Sequence, residues 1–83
     1  MSPQDRAAAV LAAAPLLPRF KVTSDERDST LLHIRPLGEL THGQRHQLPT
    51  LLGAAGFRVT GHRRRRGFVP EQFTVRHRST YPD

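Results

Sequence analysis

The chain contains no cysteine, no tryptophan and a single lysine, Lys21. Without cysteine there is no disulfide framework, no zinc–thiolate site and no thiol nucleophile. No apolar run approaches the ~20 residues of a membrane span. Carboxylates are also scarce: seven Asp and Glu stand against thirteen Lys and Arg, giving a net charge of +6 and a pI near 11.5. Hydrophobic residues make up only 36% of the 83 positions. At this length a fold buries roughly 60–65% of its unfolded surface, so the core is expected to be thin and single.

Enzyme chemistry finds little footing. No carboxylates cluster, no Ser-His-Asp arrangement is legible by spacing, and no glycine-rich loop is built to cradle phosphate. Glu71 lies beside an arginine run, but one acid without metal-ligand companions reads as an ion pair within its loop. His42 and His46 are spaced to share a helix face as ligands, yet Gly43 and Pro49 weaken the helix and a third ligand is missing. The sequence therefore implies a non-enzyme with no metal and no cofactor.

What is present is arginine, unevenly spread. Residues 1–38 hold five bases and four acids, whereas residues 39–83 hold eight arginines and three acids. Abundant Ala, Gly and Pro beside so much Arg is the composition of a GC-rich coding sequence. A charge this far from zero speaks of partners rather than of fold.

Along the chain, Ser2-Pro3-Gln4-Asp5 reads as a helix start: N-cap, Pro at the first helical position, acid in the first turn. An Ala-rich helix is expected from about Pro3 to Ala14, stopped by Pro15 and Pro18. The apolar stretch from Ala7 to Leu17 faintly resembles a secretory signal, but it is Ala-dominated and Asp5 cancels the preceding charge. A cytoplasmic location is expected. Residues 19–24 alternate polar and apolar as a first strand, and residues 30–35 as a second. A helix is expected from about Leu48 to Ala55, its stripe formed by Leu48, Leu51, Leu52 and Ala55. Thr41-x-x-Gln44 is a possible capping box, but Pro49 argues against a helix through it. Gly56 reads as a left-handed cap. Residues 57–62 and 72–78 alternate as two further strands.

A repeat organises these elements. Phe20-Lys21-Val22-Thr23 matches Phe57-Arg58-Val59-Thr60, and Leu32-His33-Ile34-Arg35 matches Phe73-Thr74-Val75-Arg76. The expected fold is α+β: a duplicated α-β-β unit giving a four-stranded antiparallel sheet with two helices on one face. Residues 1–78 would form one domain with repeats 1–36 and 39–78, and residues 79–83 a frayed tail. The layout resembles a circular shift of the ferredoxin-like βαββαβ arrangement, a likeness that implies no function.

The alternation turns Phe20, Val22, Leu32, Ile34, Phe57, Val59, Phe73 and Val75 toward the helices, and every Phe is read as inward. Lys21, Thr23, His33, Arg35, Arg58, Thr60, Thr74, Arg76 and Arg78 then face outward, with no acid among them. Arg63, Arg64, Arg65 and Arg66 are read as a hairpin tip, where four like charges gain nothing for folding but bind phosphate well. Gly61 and Gly67 leave that hairpin room to adapt. An outer face without aromatics offers phosphate contacts rather than base stacking. The expected partner is nucleic acid, duplex DNA favoured over structured RNA. The alternative is a protein-interaction module that docks the same basic surface on an acidic partner.

Overall fold

The computed structural model describes residues 2–14 and 17–77. Arg78, placed on the outer face by the sequence, and the tail 79–83 lie outside the described residues, as does Pro15. Six elements follow in order: α1 (Pro3–Ala13), β1 (Phe20–Ser24), β2 (Leu31–Pro36), α2 (His42–Ala54), β3 (Phe57–Arg63) and β4 (Gln72–His77). The strands form one antiparallel sheet in the order β1-β2-β4-β3, with β1 and β3 at the edges. This is the expected α+β architecture, and its strand order is that of the circularly shifted ferredoxin-like layout. It is symmetric under exchange of the two halves, as a repeat requires, without by itself establishing duplication.

Local chemistry explains where α1 begins. The Ser2 hydroxyl accepts a hydrogen bond from the Asp5 amide at 3.1 Å, Pro3 opens the helix, and Asp5 sits in its first turn. Ala7 and Leu11, one helical turn apart, are the residues it buries. Gln4 reaches across to the edge strand, donating to the Val22 carbonyl at 2.9 Å and accepting from Ser24 Oγ at 2.7 Å. The exposed edge of β1 is thereby held against the helix.

The second helix corrects the sequence reading. It starts at His42 rather than near Leu48 and runs through Pro49. Both halves of the capping box form: Thr41 Oγ1 accepts from the Gln44 amide at 3.2 Å, and Gln44 Oε1 accepts from the Thr41 amide at 2.8 Å. Two of the amides that a helix start leaves unpaired are satisfied in this way. A mid-helix proline forfeits one hydrogen bond and crowds the carbonyl four residues back, at a typical cost of ~3 kcal/mol. Here it lies on the exposed side, while its neighbours Leu48 and Leu52 are fully buried. Burying a leucine contributes roughly 1.5–3 kcal/mol, so the two together match or exceed the cost of the defect. Gly56 follows the helix with φ +92°, the left-handed geometry expected of it.

The core gathers Leu32, Ile34, Phe57, Phe73 and Val75 from the sheet with Leu48 and Leu52 from α2 and Ala7 and Leu11 from α1. Leu40, from the segment leading into α2, joins them. The two residues that the repeat equates differ in depth. Phe57 is 1% exposed, whereas Phe20 is only half-buried at its edge. Arg6 lies over the Phe57 ring at 5.3 Å and contacts His77, which itself tilts against Phe57.

One irregularity changes which side chains face where. The pairing of β3 with β4 shifts between Val59 and Gly61, so that Val59 opposes Val75 but Gly61 opposes Thr74. The extra residue is a β-bulge, and everything beyond it changes face. His62 consequently pairs with Phe73 and turns toward the helices, while Arg63 pairs with Gln72 and joins the outer face.

These depths set the expected mutational response. Phe57→Ala should destabilise the protein by about 3–5 kcal/mol, and Phe20→Ala by distinctly less. Denaturant unfolding of the two variants side by side checks the difference; equal losses would contradict the packing described.

Candidate functional site

The outer face carries two pairs of cations in direct cross-strand opposition: Lys21 against Arg35, and Arg58 against Arg76. Like charges placed directly opposite are unfavourable for a sheet, so neither pair serves folding. One position beyond the paired residues Ile34 and Phe73, Arg35 comes beside Gln72, which pairs with Arg63. Lys21, Arg35, Gln72 and Arg63 thus form one row across all four strands. Three inter-strand gaps of ~4.8 Å make that row about 14 Å wide.

The face is not uniformly free of acid, contrary to expectation. The turn between β1 and β2 folds Asp25 and Asp28 against one end of it. Asp25 lies 2.9 Å from His33 Nε2 and accepts the Arg27 and Asp28 amides, each at 2.9 Å. His33 Nδ1 is 3.2 Å from the Gln72 side-chain nitrogen. An amide nitrogen can only donate, so Nδ1 is the acceptor toward Gln72 while Nε2 faces the Asp25 carboxylate. Asp28 accepts from the Thr30 hydroxyl at 2.6 Å and approaches Arg76 at 3.7 Å, while Arg76 also donates to Thr30 Oγ1. Both carboxyls are held below their usual range, Asp25 mainly by His33 and Asp28 mainly by Thr30. The sequence reading missed this because it counted residues within strands and left the intervening turn aside.

The opposite end stays uncompensated. Among the described residues, no carboxylate lies within salt-bridge distance of Lys21, Arg35, Arg58 or any of Arg63–Arg66. Arg63 donates to the Pro70 carbonyl at 3.2 Å, across the base of the hairpin. Compensation therefore reaches His33 and Arg76 beside the β1–β2 turn but not Arg58, which opposes Arg76 at that same end, and none of the cations toward the β3–β4 hairpin.

That hairpin also differs from the reading. Arg66 and Val69 exchange backbone hydrogen bonds at 2.9 and 3.0 Å, closing a two-residue turn whose apex is Gly67-Phe68. Gly67 has φ +61°, and no other residue type among those described has positive φ. This is the type II′ pattern, which asks for glycine at its first position. The arginines therefore line the outgoing arm rather than the tip. Phe68, expected inside with the other phenylalanines, is fully exposed. The Arg-Gly-Phe-Val string held the signal, since glycine opening a two-residue loop is a hairpin mark.

The base of the hairpin is tied down by Glu71. Its carboxylate is buried, taking two hydrogen bonds from Arg45 of α2 at 2.7 and 3.2 Å and lying 2.7 Å from His62 Nε2. The His62 ring stacks flat on Phe73, 4.3 Å between centroids. Glu71 does form an ion pair, but with a helix and a strand rather than within its own loop. Arg45 first, and then His62, hold its carboxyl below the ordinary range. His42 and His46 do share a face of α2, with their Nε2 atoms 3.1 Å apart. Among the described residues, no three His, Cys, Asp or Glu gather as a metal site. No described helix is long and apolar enough to cross a membrane.

Compared with known proteins, the chain matches no family model, no curated protein and no solved structure.

Four of these groups make stability fall in acid, the more exposed Asp25 and Asp28 the least, His77 and Glu71 the most. Burial and nearby Arg6 press the His77 imidazole below its ordinary value of 6.5. The unfolded chain takes that proton first, so stability is complete above pH 6.5 and declines as pH drops toward the folded value. The depressed Glu71 carboxyl contributes above its ordinary 4.5 and is lost as pH falls through its folded value. Unfolding by denaturant across the acid range should show both declines. His77→Gln should remove the first, and Glu71→Gln should weaken the second while lowering stability at pH 7.

Proposed function

We propose that this protein binds duplex nucleic acid, DNA in preference to structured RNA, by neutralising phosphates along the uncompensated end of its sheet and the arginine arm of its β3–β4 hairpin. The observation that carries this reading is the row Lys21, Arg35, Gln72, Arg63 running into Arg64–Arg66. The row contains a directly opposed cation pair that folding does not need, and the arm that continues from Arg63 adds three more exposed arginines, with Arg64 on the α2 side. Self-repelling charges kept on a surface are accounted for by an anionic partner that relieves them. Guanidinium groups suit phosphate, which they contact bidentately. A row about 14 Å wide also reaches both walls of a groove ~6–12 Å across.

The absence of aromatics from the described outer face supports a duplex over an unpaired strand, because single-strand readers stack successive bases on such a face. Backbone neutralisation alone carries no sequence information, so binding should be broad in sequence.

The test is a salt titration of duplex binding by fluorescence anisotropy. Replacing Arg63–Arg66 together by Ala should flatten the plot of log K against log salt by about 2–4, at ~0.9 per lost phosphate contact on B-DNA. The fold should stay as stable or gain slightly, since the four side chains are exposed and repel one another. Asp28→Asn should act in the opposite sense, releasing Arg76 and steepening the slope by up to ~1. Unchanged affinity and slope in the quadruple variant, with capture of an acidic protein lost instead, would replace this reading by the protein-docking one.

A further inference from the structure

Phe68 has no structural employment. It is fully exposed, belongs to no packed cluster, and occupies the second apex position of a two-residue turn. Turn chemistry favours glycine, asparagine, aspartate or serine in such places, so the turn does not explain a phenylalanine there. Isolated exposed hydrophobics are ordinary on protein surfaces, but this one has a particular setting. Gly67 contributes no side chain, which leaves Phe68 to lead the apex. Val69 beside it is also exposed. Behind it stand Arg63–Arg66, all exposed and without carboxylate partners among the described residues. The hairpin's base is fixed to α2 through Glu71 and Arg45, so the apex projects from a supported root.

We infer that Phe68 is a wedge, entering the minor groove of the bound duplex and parting one base-pair step while the arginine arm holds the flanking phosphates. The inference rests on the nucleic-acid reading above and specifies how that surface engages its ligand. An apolar side chain leading a cationic arm is the chemistry that unstacks and kinks DNA from the minor groove. Charge complementarity chooses the ligand: the apex cannot approach a partner without bringing four guanidinium groups with it, and these require dense negative charge on both sides. A duplex supplies that charge and an apolar base stack between the two walls. A single apex aromatic also limits the action to one step, unlike a platform that stacks successive bases. Pyrimidine–purine steps such as TA unstack most easily, so these should be preferred sites of entry.

The experiment uses the full chain with a duplex of about 20 base pairs that carries 2-aminopurine at a central TA step and a dye at each end. The native protein should raise 2-aminopurine fluorescence and shorten the end-to-end distance. Phe68→Ala should abolish both effects and weaken binding about tenfold, within the range of a base–aromatic contact, while the salt slope stays unchanged because no phosphate contact is lost. Its thermal stability should match the native protein, and Phe68→Trp should restore the fluorescence change. The arginine variant should show the converse, a flattened slope. If Phe68→Ala binds and bends the duplex as the native protein does, the wedge is overturned and the phosphate-binding reading stands. A Phe68-dependent loss confined to single strands, or to vesicles of anionic lipid, overturns it as well. If the native protein binds no nucleic acid at all, the underlying function fails first.

Discussion

The architecture turns on a buried carboxylate. Glu71 sits where β4 leaves its hairpin, and it takes Arg45 from α2 and His62 from β3. A carboxylate withdrawn from water is tolerated only when such partners replace its lost hydration. That requirement fixes several things together. It holds the start of α2 against the hairpin base, which needs α2 to extend back to residue 42, well before Pro49. It turns His62 inward onto Phe73, which needs the bulge between Val59 and Gly61. It also leaves the arginines of the outgoing arm without this acid, because Glu71 is already engaged by Arg45.

Two further acids beside the sheet are committed in the same manner. Asp25 and Asp28 are held by their own turn and directed to His33 and Arg76. A chain with seven carboxylates and thirteen bases cannot neutralise every cation. What the fold decides is where the surplus lies. On the sheet face it lies at Lys21, Arg35 and Arg63, with Arg58 beside Arg76, and it continues down the arm to Arg66.

Much of this was legible in advance where a short-range rule governs. The Ser2-Pro3-Asp5 start, the left-handed Gly56 and the inward set from Phe20 to Val75 all follow from neighbours a few residues apart. Alternation within each strand also gave Lys21, Arg35, Arg58 and Arg76 their outward places. The limits of α2 were misread because a local penalty, Pro49, was weighed without the distant gains that offset it. Chief among those gains is the pairing of Arg45 with a residue 26 positions away. Phe68 was placed inside because phenylalanine usually is, although the glycine before it marked a turn.

By itself the sequence determined the α+β class, the two faces of the sheet and the excess of positive charge, since periodicity and composition are properties of the chain alone. Only the tertiary structure decided which cations remain uncompensated. That outcome depends on acids brought from a turn and on a bulge that moves Arg63 to the outer face. It also depends on a two-residue apex that sets Phe68 beyond the arginines. Each is a matter of distances between residues far apart in sequence or of a one-residue change in register, and spacing along the chain encodes neither.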